Sequence, residues 1–219
     1  MEWIRGWGLS IVLFVLFAAF IAGHAISGHR VDNQDKQDHG EPPGSFMEYA
    51  TGGEFAESVF ENWESEFLQM GMYVLLTSWL IQRGSAESKD PDKRSEQDAD
   101  PRRHRDNPDA PWPVRRGGIA LSLYEYSLAI AFGLLFALSW AFHAMSGARA
   151  FSQERLEHGE RPIGALGYIG TSRFWFESLQ NWQSEFLAVW SIVLLSIVLR
   201  QRGSPQSKPV HAPHSQTGG

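Results

Sequence analysis

The chain has 219 residues, a formal net charge of −6 and no cysteine, so disulfides and thiolate metal sites are excluded. Its mean hydropathy of −0.26 is that of a soluble protein. This average is misleading, because the apolar residues are concentrated in four runs that strongly polar segments separate. Nine tryptophans, several of them at the edges of these runs, indicate the aromatic belt of a membrane protein.

The first run covers about residues 8–27 and is long enough to cross a bilayer as a helix. Its short start followed by an apolar stretch also fits a signal peptide, with Ala25 as a cleavage position. However, an equivalent stretch at 128–145 lies in mid-chain, where no signal peptide is expected. We therefore predict that the first helix is retained in the mature protein.

The second run predicts a helix over about residues 54–83, because Phe55, Val59 and Trp63 fall at intervals of four. Only 67–81 is fully apolar, and about 15 residues are few for a membrane span. The first turns of this helix are therefore expected at or above the membrane interface. A polar segment with a Pro-Pro-Gly turn precedes it.

The remaining runs predict helices over about residues 121–146 and 172–200. Between the two halves lies a polar linker, 85–118, whose composition predicts disorder, and the same is expected of the tail, 204–219. The linker is the segment richest in lysine and arginine. By the positive-inside rule, it and both termini should face the cytoplasm.

An offset of 119 positions pairs most of the distinctive residues, which divides the chain into repeats at 1–84 and 119–203. The repeated helix-start motif consists of Asn62, Trp63, Ser65 and Glu66 in the first copy and Asn181, Trp182, Ser184 and Glu185 in the second. Each repeat starts and ends on the same side, which makes the repeats parallel. The predicted fold is all-α, an integral membrane four-helix bundle built from two parallel two-helix repeats.

Three signatures occur in both halves: His-Gly-Glu-x-Pro, Asn-Trp-x-Ser-Glu-Phe-Leu and Gln-Arg-Gly-Ser. With them the chain resembles a bacterial family of uncharacterised, internally duplicated four-span membrane proteins, over about residues 7–89 and 126–208. The resemblance implies a multi-pass protein of the bacterial inner membrane. It supplies no catalytic residue.

Two pairs of ionisable residues are candidate sites within the helices. Glu66 and Glu185 lie at the start of apolar runs, where burying a charged carboxylate in the membrane costs free energy. Each therefore indicates either a proton or cation site or a hydrogen bond to a neighbouring helix. His24 and His143 are expected at a similar depth. A contact between histidine and glutamate in each repeat could bind a metal ion or relay protons. The alternative is a structural hydrogen bond between helices, worth about 1 kcal/mol.

A third set of candidates lies in the polar segments between the paired runs. It comprises Asp35, Asp38 and His39 and their counterparts Glu154, Glu157 and His158. Spacings of three and four put each trio on one helical face, where oxygen and imidazole ligands suit Mg²⁺, Ca²⁺, Mn²⁺ or Zn²⁺. The alternative is an amphipathic surface helix that ends at the His-Gly pair.

No motif of a hydrolase, a phosphate-binding loop, a zinc protease or c-type haem occurs, so we predict no catalytic residue, no cofactor and no nucleic-acid partner. The expected function is that of a non-enzymatic structural or accessory membrane protein. Its expected partners are the lipid bilayer and a second copy or another membrane protein. One alternative is a small ion, proton or metal transporter or channel subunit that uses the repeated glutamates and histidines. A second is a membrane cofactor-binding or metal-binding protein.

Overall fold

The computed structural model describes the backbone of residues 2–218 and the side chains of residues 6–218. Over this part of the chain it contains helices and turns but no strand, which confirms the all-α prediction. Eight α-helices follow one another: α1 (Glu2–Asp38), α2 (Phe46–Ala50), α3 (Gly53–Trp79), α4 (Trp112–Arg116), α5 (Gly118–Glu125), α6 (Ser127–Glu157), α7 (Ala165–Ile169) and α8 (Ser172–Val198).

Helix α1 is longer than the sequence predicted, since it continues past residue 27 through the polar segment to Asp38. Residues 29–39 contain neither glycine nor proline, and Lys36 supports this part with an ion pair to Asp32 at 3.0 Å. A helix of 37 residues is about 55 Å long, whereas the hydrocarbon core of a bilayer is about 30 Å thick. The polar end of α1 therefore extends well beyond its apolar run.

Helices α1 and α6 end in the same way, at the His-Gly-Glu signature. The N–H of Glu41 donates to the carbonyl of Lys36 at 2.8 Å, and Gly40, with φ +78°, donates to Gln37. Glu160 and Gly159 make the equivalent bonds to Arg155 and Leu156, and φ of Gly159 is +74°. This is the Schellman stop, which explains why glycine occupies both positions.

The third apolar run is divided at Tyr126 into α5 and α6. The linker, for which the sequence predicts disorder, contains turns, α4 and two 3₁₀-helices, Glu96–Asp98 and Pro101–His104. Its start is anchored by a 2.8 Å hydrogen bond from the Tyr73 hydroxyl to Glu87. The tail forms turns.

The helices contribute to two compact units. Unit 1 comprises the residues up to Phe60 and Phe142–Phe174, and unit 2 comprises Glu61–Ala141 and the residues from Trp175 onward. Unit 1 thus contains all of α1, α2 and α7, the start of α3 and the polar half of α6. Unit 2 contains most of α3 and α8, the apolar half of α6 and the linker.

In unit 1, two glycines allow tyrosine rings to lie directly on the long helices. A Cβ on Gly28 would stand 2.0 Å from the hydroxyl oxygen of Tyr49, and one on Gly147 would stand 2.3 Å from a ring carbon of Tyr168. The two tyrosines are 119 positions apart, as are the two glycines. The glycine that both halves share at this position therefore has a packing role.

In unit 2, polar side chains join α3 to α8. The Ser178 hydroxyl donates to the fully buried Glu64 at 2.7 Å, and the Gln69 amide donates to the carbonyl of Glu185 at 3.0 Å. Asn181 donates to the carboxylate of Glu61. Two carboxylates of α3, those of Glu61 and Glu64, thus receive hydrogen bonds from α8.

Three of the long helices are sufficiently long and apolar to cross a membrane: Gly6–Asp38, Ser127–Glu157 and Ser172–Val198. Within the described residues α3 does not meet the same criterion, because five glutamates occupy its first half. Helix α1 exposes apolar side chains on every side. The four consecutive residues from Val12 to Val15 are each 56–68% exposed, and at 100° per residue they cover most of the helix circumference.

Candidate functional site

A cleft of about 1000 Å³ lies in unit 1, between the polar ends of the helices that the two halves of the sequence contribute. The first half supplies the end of α1, part of α2 and the start of α3, and the second half supplies the end of α6 and the start of α8. The ionisable lining residues are Asp32, Asp35, Lys36, His39, Glu41, Glu48, Glu54, Glu57, Glu154, Glu157, His158 and Arg173, together with Tyr49.

The charge of this cleft is strongly negative. Eight carboxylates line it against one lysine and one arginine. Both bases are paired, Lys36 with Asp32 at 3.0 Å and Arg173 with Glu154. Carboxylates therefore outnumber the basic side chains along this wall, and a concave acidic wall concentrates cations.

The two histidines of the cleft, His39 and His158, cap the helices that carry them. Nδ1 of His39 lies 2.7 Å from the carbonyl oxygen of Asp35, and Nδ1 of His158 lies 2.8 Å from that of Glu154. Each ring thereby caps the last turn of its helix. The carbonyl of Asp35 raises the pKa of His39 above its ordinary value, and the nearby carboxylates of Glu41 and Asp35 act in the same direction.

Beneath the cleft lies a buried cluster around His143, which is completely inaccessible to solvent. Its ring stacks on Phe174 with 4.8 Å between centroids and meets Tyr168 edge-on at 6.3 Å. The Tyr168 hydroxyl donates to Oε1 of Glu57 at 2.7 Å. Donor atoms of Glu57 and His143 lie within 4.8 Å of each other, so a carboxylate and an imidazole are close neighbours here.

The first repeat forms a related cluster around His24, which also lies in unit 1. His24 contacts Phe55 with 5.3 Å between centroids, and Phe55 in turn contacts Tyr49 at 5.6 Å. These three residues correspond to His143, Phe174 and Tyr168 by the offset of 119. The polar partner differs, because Nε2 of His24 lies 3.2 Å from the hydroxyl of Ser58.

The structure brings together five of the six candidates from the polar segments. Asp35, His39, Glu154, Glu157 and His158 line the cleft, whereas Asp38 is not among its lining residues. The amphipathic helix that the sequence allowed here is the polar continuation of α1 and α6, with the His-Gly stops at its ends.

The candidate carboxylates Glu66 and Glu185 belong to unit 2, where Glu66 is exposed and Glu185 is half-buried. Within unit 1, the groups beside the two histidines are Ser58 and Glu57.

The other residues of the repeated helix-start motif have local roles. Ser65 and Ser184 donate to the carbonyls of Asn62 and Asn181, three residues earlier, at 2.7 and 2.8 Å. Trp182 packs edge-on against Trp175 at 6.4 Å. Trp63 is half-buried in α3.

Sequence reasoning missed Glu57 and Glu64, the two most buried glutamates. It searched for residues that occur in both repeats, and the counterparts of these two are Phe176 and Gln183. A difference between the two repeats identifies them instead: each is a carboxylate at a position where the other repeat has an uncharged residue.

The fold and these sites define an all-α protein with three membrane-length apolar helices, an acidic cleft and a buried histidine-carboxylate cluster. The chain belongs to the family described as "Domain of unknown function (DUF6766)", whose model matches residues 1–219. This match confirms the resemblance to an uncharacterised family. No curated protein and no solved structure is significantly similar to the chain.

Proposed function

We propose that the protein is a non-enzymatic integral membrane protein with four spans, built from two duplicated two-helix units. The observation that carries this proposal is the apolar surface of α1, whose residues Val12 to Val15 are exposed on nearly all sides. Each exposed large apolar side chain forfeits roughly 1.5–3 kcal/mol in water, and soluble proteins rarely carry such extended apolar surfaces. Hydrocarbon on all sides of the helix removes this cost.

The fourth span is α3, although its composition is more polar than that of the other three. A carboxylate inside a membrane needs a partner within the protein. Glu61 and Glu64 receive hydrogen bonds from Asn181 and Ser178 of α8, so these carboxylates do not require contact with water. The remainder of α3, from Phe67 to Trp79, carries no charged residue, and its buried amide, Gln69, is hydrogen-bonded to α8.

Duplication is supported by the recurrence of the same local geometry 119 positions later. The Schellman stops at Gly40 and Gly159 form one such pair. The turns after α3 and α8 form another, in which the N–H of Gln82 donates to Ser88 at 3.0 Å and the N–H of Gln201 donates to Ser207 at 2.9 Å.

For orientation, the basic linker and both termini are proposed to lie in the cytoplasm of a bacterium, on the inner face of its plasma membrane. The polar segments between the paired helices are then proposed to face the opposite side of the membrane. A second copy of the chain or another membrane protein is the proposed partner, since an accessory role requires one.

Topology mapping tests the proposal, and the absence of cysteine provides a clean background. Pro42→Cys, Gln97→Cys and Ser215→Cys each place one thiol at an exposed position. Four spans predict that the second and third variants react with a membrane-impermeant maleimide from one side and Pro42→Cys from the other. Labelling of Pro42→Cys and Gln97→Cys from the same side would show that α3 does not span the membrane.

The acidic cleft favours a second candidate function, the binding or transport of cations. Eight carboxylates within one concave surface are the specific observation in its favour. Binding of Mn²⁺ to the purified protein, followed by its magnetic resonance signal, tests this. The double substitution Asp35→Asn with Glu154→Gln should weaken the binding, whereas Glu66→Gln, outside the cleft, should not.

A further inference from the structure

The buried cluster beneath the cleft contains the elements of a metal site. We infer that Glu57 and His143 bind a divalent transition-metal ion of the Zn²⁺ type, which enters through the acidic cleft. This inference rests on the second candidate function, because the cleft supplies the route. It goes further by assigning the ligands and the class of metal.

The first argument is the chemistry of the donors. A carboxylate oxygen of Glu57 and a ring nitrogen of His143 lie within 4.8 Å of each other, so a small rotation of either side chain brings both within the bonds of about 2.0–2.2 Å that Zn²⁺ makes. Glu57 is 7% exposed and His143 is 0% exposed. Imidazole with carboxylate suits Zn²⁺ and its neighbours, whereas Mg²⁺ and Ca²⁺ prefer oxygen donors alone.

The second argument is that the surrounding residues position these donors. Tyr168 donates to one oxygen of Glu57 at 2.7 Å and so holds this carboxylate in place. Ligating carboxylates are commonly held by such a hydrogen bond. Phe174 stacks on the His143 ring at 4.8 Å and fixes its plane.

The third argument is the space that a glycine leaves. A Cβ on Gly147 would stand 2.6 Å from Oε1 of Glu57 and 2.3 Å from the Tyr168 ring. Only glycine at this position of α6 allows the carboxylate and the phenol to approach the helix that carries His143.

The fourth argument concerns access. Glu57 lines the cleft as well as the buried cluster, so it connects the two. A cation that the acidic cleft attracts therefore meets the carboxylate of Glu57 first.

The test uses the full chain, purified in detergent through a tag without histidine and stripped with a chelator. Zn²⁺ is titrated and measured by elemental analysis after gel filtration, and Co²⁺ reports the ligand set through its absorption bands. We expect one Zn²⁺ per chain for the wild type. Glu57→Gln and His143→Asn should each raise the dissociation constant at least tenfold, and Tyr168→Phe, a positioning residue, should raise it about tenfold.

His24→Asn is the matched control, because His24 is the counterpart of His143 but has Ser58 beside it. It should bind Zn²⁺ as the wild type does. If His143→Asn does not fold, Glu57→Gln and the Co²⁺ spectrum of the wild type still decide the question.

Two results would overturn the inference: a wild type that retains no Zn²⁺, or Glu57→Gln and His143→Asn that bind as tightly as the wild type. In the latter case, loss of binding in Asp35→Asn with Glu154→Gln would place the ion in the outer cleft. That outcome would leave the cation-binding function standing without the buried site, and neither result bears on the number of spans.

Discussion

The ring of Tyr168 lies on Gly147, so close that a methyl group there would stand 2.3 Å from a ring carbon. Replacement of Gly147 by alanine should therefore destabilise the protein by roughly 1–3 kcal/mol, the usual cost of overpacking. The melting temperature in detergent, followed by gel filtration with fluorescence detection, measures this.

Gly133 is the matched control, since it lies in the same helix and has no atom within 4 Å of its virtual Cβ. Gly133→Ala should be neutral or stabilise the protein by up to about 1 kcal/mol through helix propensity. Equal effects of the two substitutions would contradict the packing role of Gly147.

The hydrogen bond from Ser178 to Glu64 predicts that two serine substitutions in α8 differ in their effect on stability. Ser178→Ala removes a donor from a carboxylate that is 0% exposed, and a hydrogen bond to a charged group contributes roughly 1.5–3 kcal/mol. Ser184→Ala in the same helix removes only a bond to a backbone carbonyl three residues earlier and should cost less than about 0.5 kcal/mol. Thermal unfolding of the two variants in the same detergent distinguishes them, and a smaller loss for Ser178→Ala would refute the assignment.

Lys208 is expected to anchor the C-terminal tail. Its ammonium group is buried and donates to the carbonyl oxygens of Gly84, His214 and Gln216, the last two at 2.9 and 2.8 Å. Lys208→Met should leave these acceptors without their donor and expose the tail to limited proteolysis. Lys89→Met, at the equivalent position of the first repeat, should leave the tail as resistant as in the wild type, because Lys89 bonds to Ser78 and Asp98 instead.

The raised pKa of His39 predicts that the stability of the fold depends on pH. This pKa is raised above 6.5, first by the hydrogen bond to the Asp35 carbonyl. A raised pKa means that the charged ring stabilises the fold fully below about pH 6.5, and that this contribution is lost as pH rises through the higher folded value. Proton NMR titration of the histidines, with His39→Gln to assign the signal, should show a midpoint above 6.5. A midpoint at or below that value would contradict the capping geometry.

The helical class and the positions of the apolar runs were predictable, because both depend on local pattern. The helix ends were less so. The sequence ended the first helix near residue 27, where the polar segment begins, whereas the helix continues to the glycine stop at Gly40. Polarity there marks exposure to water rather than the end of a helix, and only the absence of glycine and proline between residues 29 and 39 indicates the continuation.

The candidate site was predictable in part. The repeat identified Asp35, Glu154 and the two capping histidines, and they do share one cleft. It could not identify Glu57, because the proximity of Glu57 to His143 and Tyr168 depends on packing between residues that lie 86 and 111 positions apart in the sequence. Neither local periodicity nor comparison of the two halves contains that information.

Helix α1 has no break between Glu2 and Asp38, so its apolar run and the polar end that lines the cleft belong to one continuous helix. A continuous α-helix resists bending because every turn is hydrogen-bonded to the next. A displacement of the polar end of α1 would therefore be transmitted along the helix as a tilt of its apolar run.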